Sequence, residues 1–190
     1  MFRPYVTNIH NVEGDGNCGF RSIASFLGLH ENRWPQSRME LLEEIIMHKE
    51  IYVNLFGESE LFQLYQTINL PQDASAVRKY WMTLPDMDFL IASRYNVVLL
   101  CLSNEADTTC LPLWSSPPES QQHDICVIAR INGNHFVKVD LQGYYPIPPT
   151  HPQWNIYKYD GEWERPYRNQ QDMYIQYMRS NYESSHVNLD

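Results

Sequence analysis

The sequence predicts one α+β domain, and three observations carry that reading. Helical periodicity fills the first half, strand-like runs cluster between residues 97 and 141, and an Asn-Gly pair separates two of those runs. The 190 residues suit a single globular unit. With 43% hydrophobic and 13% aromatic residues, the chain can bury a sizeable core and does not have the composition of a disordered one.

In chain order, Tyr5 to Val12 alternates loosely through Val6, Ile9 and Val12, which suggests an extended lead-in segment. A glycine-punctuated turn follows at Gly14-Asp15-Gly16-Asn17. Phe20, Ile23, Ala24 and Leu27 then form the stripe of a core-facing helix, with Gly28 as its stop, so Cys18 sits at a helix start. The stretch Ser37-Arg38-Met39-Glu40 matches a capping box and predicts a second helix running to about Tyr52. Shorter helices are expected over Glu58–Gln66 and Ala74–Met82, and another from near Pro85 to Tyr95 with Thr83 as its cap. Val97 to Leu102 is continuously apolar and reads as a strand buried on both faces. Ile125–Ile131 and His135–Leu141 read as a hairpin joined at Asn132-Gly133. Pro117 to Gln122 and Pro146 to Pro149 are loop-like, and the aromatic tail from Trp154 to Tyr182 covers a sheet edge or adds a helix. Residues 1–150 are thus expected to form the working domain, with 151–190 as an extension packed on it.

Composition excludes several function classes. The 14 Lys and Arg against 23 Asp and Glu leave a net charge of −9, which argues against nucleic acid and for a cationic partner. No apolar run approaches the ~20 residues needed to span a bilayer, and the first five residues lack a signal-peptide core, so a soluble cytoplasmic or nuclear monomer without membrane contact is expected. Cys18, Cys101, Cys110 and Cys126 form no C-x-x-C pair and the histidines lack H-x-x-x-H spacing; free thiols and no metal or other cofactor are expected.

The chemistry concentrates around Cys18. A thiol in the first turn of a helix meets the positive end of the macrodipole and unpaired N–H groups, both of which favour thiolate. The loop before it can turn its amides inward, so a carbonyl attacked by Cys18 would find the Asp15 to Cys18 amides as an oxyanion hole. His135, at a strand edge after Asn132-Gly133-Asn134, is the strongest candidate base. The other three cysteines lie on apolar runs and read as small core residues.

The stretch Asp15-Gly16-Asn17-Cys18-Gly19-Phe20-Arg21-Ser22, followed in order by Asn134-His135-Phe136-Val137, resembles the ovarian tumour (OTU) class of papain-like cysteine proteases, mostly deubiquitinases. The resemblance covers roughly residues 5–145. Stretches such as Trp81 to Pro85 and Ile91 to Val98 are similar to OTU domains encoded by transposon-like genes. The resemblance implies a papain-like OTU fold, with a small central sheet flanked by helices. It implies Cys18 as nucleophile, His135 as general base and the backbone around Asp15 as oxyanion hole. Many members carry Asp or Asn two residues after the histidine, where this chain has Val137. Asn8, Asn11 and Asp140 are the candidate third members. Asp140 faces away from His135 by strand alternation, which leaves the lead-in segment, Asn8 first and Asn11 second. The implied activity is hydrolysis of isopeptide bonds at the C-terminal glycine of ubiquitin or a ubiquitin-like modifier, through an acyl-enzyme on Cys18. Ubiquitin's arginines just before that glycine would be drawn to an acidic surface. The alternative is a degenerate OTU-like module that binds ubiquitin without turnover.

Overall fold

The computed structural model describes residues 1–71, 76–118 and 123–186. A five-stranded sheet runs through it in the order β1-β5-β4-β2-β3, formed by β1 (Val6–His10), β2 (Val98–Ser103), β3 (Thr108–Cys110), β4 (Ile125–Ile131) and β5 (His135–Leu141). Only β2 and β4 pair in parallel; the other neighbours are antiparallel. β2 is paired on both sides, as its continuous apolar run requires, and Val98 to Cys101 are buried. The β4–β5 hairpin closes where Asn-Gly predicts it: Asn132 and Gly133 both have positive φ, at 52° and 76°, and His135 faces Ile131 across the ladder.

Of the helices α1 (Cys18–Phe26), α2 (Trp34–Met47), α3 (Lys49–Phe56), α4 (Glu58–Ile68) and α5 (Asp88–Tyr95), α1 and α5 pack on the sheet, α2 packs on both of them, and α3 and α4 pack on α2 and on each other. Phe20 and Ile23 of α1, Leu41 of α2, Leu90 and Ile91 of α5 and Leu99 of β2 are fully buried in one core. α1 packs on β5, which brings the two halves of the cysteine–histidine pattern together.

Three boundaries differ from expectation. α2 begins at Trp34, with Pro35 in its first turn, where a missing N–H costs nothing; Ser37 is therefore a buried interior residue rather than a cap. The helix stops at Met47 because His48 leaves helical geometry, and α3 follows separately. α5 starts at Asp88, after a turn spanning Leu84 to Met87. Of the helix expected over Ala74–Met82, residues 74–75 lie outside the described residues and the rest holds only a 3-10 turn, Arg78–Tyr80. Residues 119–122 of the expected Pro117–Gln122 loop are likewise outside.

The sheet's two edges are interrupted. β1 changes register against β5 between Val6 and Asn8, and β3 is three residues long, with Thr109 bridged to Thr150 and its N–H donated to Pro149 O. After residue 150 come α6 (Trp154–Tyr157), two 3-10 turns and α7 (Arg168–His186). Trp154 and Trp163 in this stretch are fully buried, and Trp154 Nε1 donates to Pro112 O at 3.0 Å. No helix among the described residues is long and apolar enough to cross a membrane.

Asp88 puts a polar group in the core, fully buried, and accepts from Cys101 Sγ at 3.1 Å. Burial pushes its carboxyl up to about 7. All four cysteines are unpaired, and burial raises the thiols of Cys101, Cys110 and Cys126.

Because Trp154 fills the core and satisfies its own N–H, Trp154→Ala should cost about 3–5 kcal/mol, read as a fall in the urea midpoint at unchanged slope. A loss under 1 kcal/mol would mean that the 151–190 stretch is dispensable to the core.

Candidate active site

Cys18 opens α1, as its place in the sequence predicts, and only 6% of it is exposed. The preceding loop is held by two arginines. Arg21 grips Asp15 with two bonds, Nε to Oδ1 at 3.1 Å and Nη2 to Oδ2 at 2.7 Å, and also reaches Glu13 and Asn32. Asn17, the residue at the cap position, makes no cap bond with its side chain. Its Oδ1 accepts from Arg38 instead, at 3.1 and 2.8 Å, while its backbone N–H donates to Asp15 Oδ1 at 2.9 Å.

Arg38 is only 4% exposed. Beyond Asn17 it donates to the carbonyls of Thr67, Ile68 and Tyr80, and its guanidinium lies 3.8 Å from the Phe20 ring centroid. Burial lowers its pKa to about 10, so it stays charged at neutral pH. Two glycines, Gly16 in the loop and Gly19 in the first turn of α1, let this corner approach the neighbouring wall. A Cβ on Gly16, whose φ is +87°, would lie 2.6 Å from Trp81 Nε1; one on Gly19 would lie 2.5 Å from Met82 Sδ.

On the β5 side, Phe136 donates its N–H to Cys18 Sγ at 3.4 Å, so the sulfur lies against the residue next to His135. His135 Nε2 is 2.8 Å from Asn11 Oδ1. An amide oxygen only accepts, so Nε2 carries the proton and Nδ1 is left as an acceptor. That Nδ1 edge faces Gly14, where a Cβ would come within 3.7 Å of it. Asn8, the first choice from the sequence, is elsewhere: its amide nitrogen lies 2.9 Å from His10 Nε2, and His10 is in turn 2.6 Å from Asp140. Asn11 meets the ring because it follows the end of β1, where the chain turns from the sheet toward the loop.

Burial is the dominant influence on Cys18 and raises its thiol, outweighing the N–H groups of Phe136 and Gly19 that favour thiolate. The helix start alone therefore does not ionise this cysteine. Asp15 goes the other way: burial pushes its carboxyl up, but the bonds from Arg21 and Asn17 prevail and hold it at about 2.

Sequence reasoning took Arg38 for part of a capping box and assigned no role to Arg21. The signal for Arg21 lay within the motif itself, an arginine six residues after Asp15. Arg38 offered none, since its partners come from distant parts of the chain.

No family model and no curated protein matches this sequence. Solved structures do share its fold. The viral OTU domain protease from Dera Ghazi Khan virus aligns over 75% of this chain and 85% of its own at 13% identity, with a TM-score of 0.51. That from Farallon virus aligns over 74% and 87% at 17% identity, also with a TM-score of 0.51. The OTUD1 OTU domain aligns over 73% and 89% at 16% identity, with a TM-score of 0.50.

A carboxylate held below its ordinary 3.8 stabilises the fold above that value, and the contribution is lost as pH falls through about 2. Asp15→Asn should thus cost roughly 1 kcal/mol at pH 7, allowing for screening of this partly exposed group, and less at pH 3. Urea unfolding at the two pH values measures the difference; an equal cost at both would remove the charge of Asp15 as the stabilising element.

Proposed function

We propose that this chain, which has the OTU-domain fold, is a cysteine peptidase of deubiquitinase type that cleaves the isopeptide bond after the C-terminal glycine of ubiquitin or a ubiquitin-like modifier. The observation that carries the reading is the Asn11–His135 bond at 2.8 Å, on a histidine whose neighbour Phe136 touches Cys18 Sγ. The acceptor expected at position 137 is supplied from the lead-in segment. Val137 therefore loses its weight as a sign of a binding-only module.

In this mechanism Cys18 rests as a thiol, since burial raises it. His135 Nδ1 takes the proton as the sulfur attacks the glycine carbonyl, and Asn11 steadies the imidazolium through its Nε2–H. The amides left to hold the oxyanion are those of Asp15, Gly16 and Cys18, because the Asn17 N–H is already committed to Asp15. The C–N bond then breaks, and the departing amine takes the proton from His135. Water attacks the thioester, giving up a proton to His135, and releases the free carboxylate and the thiol.

A ubiquitin probe with a C-terminal electrophile tests the reading: it should label wild type at Cys18 and leave Cys18→Ala unlabelled. His135→Ala should lower turnover of a ubiquitin amide roughly 10²–10⁴-fold. Asn11→Ala should lower it about ten-fold, the scale of a lost orienting contact, whereas Asn8→Ala should change it less than two-fold. A wild-type protein that binds the probe without labelling would instead establish the binding module. An Asn8 loss matching that of Asn11 in folded protein would return Asn8 to the site.

A further inference from the structure

The C-terminal helix α7 is anchored along its first half only. Gln170 Nε2 donates to Tyr145 O at 2.8 Å, Gln171 Nε2 to Thr150 Oγ1 at 2.9 Å and Tyr174 Oη to Asp107 Oδ2 at 3.1 Å. Gln171 and Tyr174 are buried, whereas every residue from Ile175 to Tyr182 is exposed. Two exposed turns gain little from propensity, since helices below about 12–15 residues draw their stability from an apolar face packed against something.

The exposed half carries such a face. Ile175, Met178 and Tyr182 are spaced three and four residues apart and form one stripe. With Tyr174 and Pro149 they line an open groove of about 660 Å³. Beside the stripe stand two exposed charges, Asp172 and Arg179, and neither forms an ion pair with another described residue. They are seven residues apart, so they occupy nearly one angular position on the helix.

A partner that fits must offer the opposite pattern on its own flank, and α7 offers it when run in the opposite direction. In an antiparallel helix pair, flanks on the same side face each other. A two-fold axis between positions 175 and 176 then sets Asp172 of each copy opposite Arg179 of the other, because the two positions lie equally far from it. Parallel helices would place the two flanks on opposite sides of the seam and leave all four charges unmet. The antiparallel axis also falls where the anchoring ends. The exposed half of each copy therefore lies along the anchored half of the other and gains the cover it lacks.

We propose that α7 is a self-association surface: two copies of this chain pair antiparallel through Ile175, Met178 and Tyr182, held in register by Asp172 and Arg179 across the axis. This pairing departs from the monomer expected above. None of these residues belongs to the candidate active site, so it stands independently of the peptidase reading.

The test is the mass of the full chain in solution, followed by sedimentation equilibrium over roughly 1–200 μM. Wild type should rise from one chain mass toward two. Arg179→Asp leaves two acids on each flank and Asp172→Arg leaves two cations, so the dissociation constant of each variant alone should rise roughly ten-fold or more. An equimolar mixture of the two variants should recover wild-type association, since opposite signs meet again, and that recovery shows that neither failed to fold. A wild type that stays monomeric across the range would overturn the pairing. So would variants that associate as wild type does, or a mixture that remains dissociated while both variants keep the wild-type circular dichroism.

Discussion

The guanidinium of Arg38 is the tie on which the rest of the site depends. Taking a charged group out of water costs several kcal/mol, and the cost is met only where its N–H groups are satisfied in good geometry. Here they are met by the carbonyls of Thr67, Ile68 and Tyr80 and by Asn17 Oδ1, with Phe20 stacked on the cation. The end of α4, the turn before Trp81 and the loop before Cys18 thereby share one donor group. Removing that charge would free all three segments, including the wall that Gly16 and Gly19 press against.

Much of the site was legible in the sequence because its signals are local. A glycine-rich turn before a helical stripe places Cys18 at a helix start whatever the remainder of the chain does, and Asn-Gly between two strands places His135 at a strand end. Arg38 was not legible, since it bonds to residues 21 to 42 positions away and reads locally as an ordinary helix residue. Asn11 was ranked second to Asn8 for a related reason. An extended segment read alone does not say which of its residues reaches the histidine, and the register of β1 changes between Val6 and Asn8. Beyond His10 the chain leaves the sheet altogether, and alternation no longer says where a side chain points.

Helix position alone was a poor guide to the state of the thiol. Cys18 has the helix start that favours ionisation, but burial decides the outcome and keeps the proton on sulfur. On the proposed reading, the reactive form is created by a neighbour at the moment of attack rather than stored in the resting molecule. On that reading, a thiol of this kind stays quiet toward stray electrophiles until a carbonyl is seated.

The broken edges of the sheet have a bearing on how the molecule behaves in company. An open sheet offers two rows of unpaired backbone groups, each a template for another chain. In this protein one edge is twisted by the register change in β1, and the other is cut to three residues and capped by the Pro149–Thr150 segment. Neither presents the long flat margin that strand addition requires. A crowded solution of this chain is accordingly guarded against the edge-to-edge stacking that seeds fibrils.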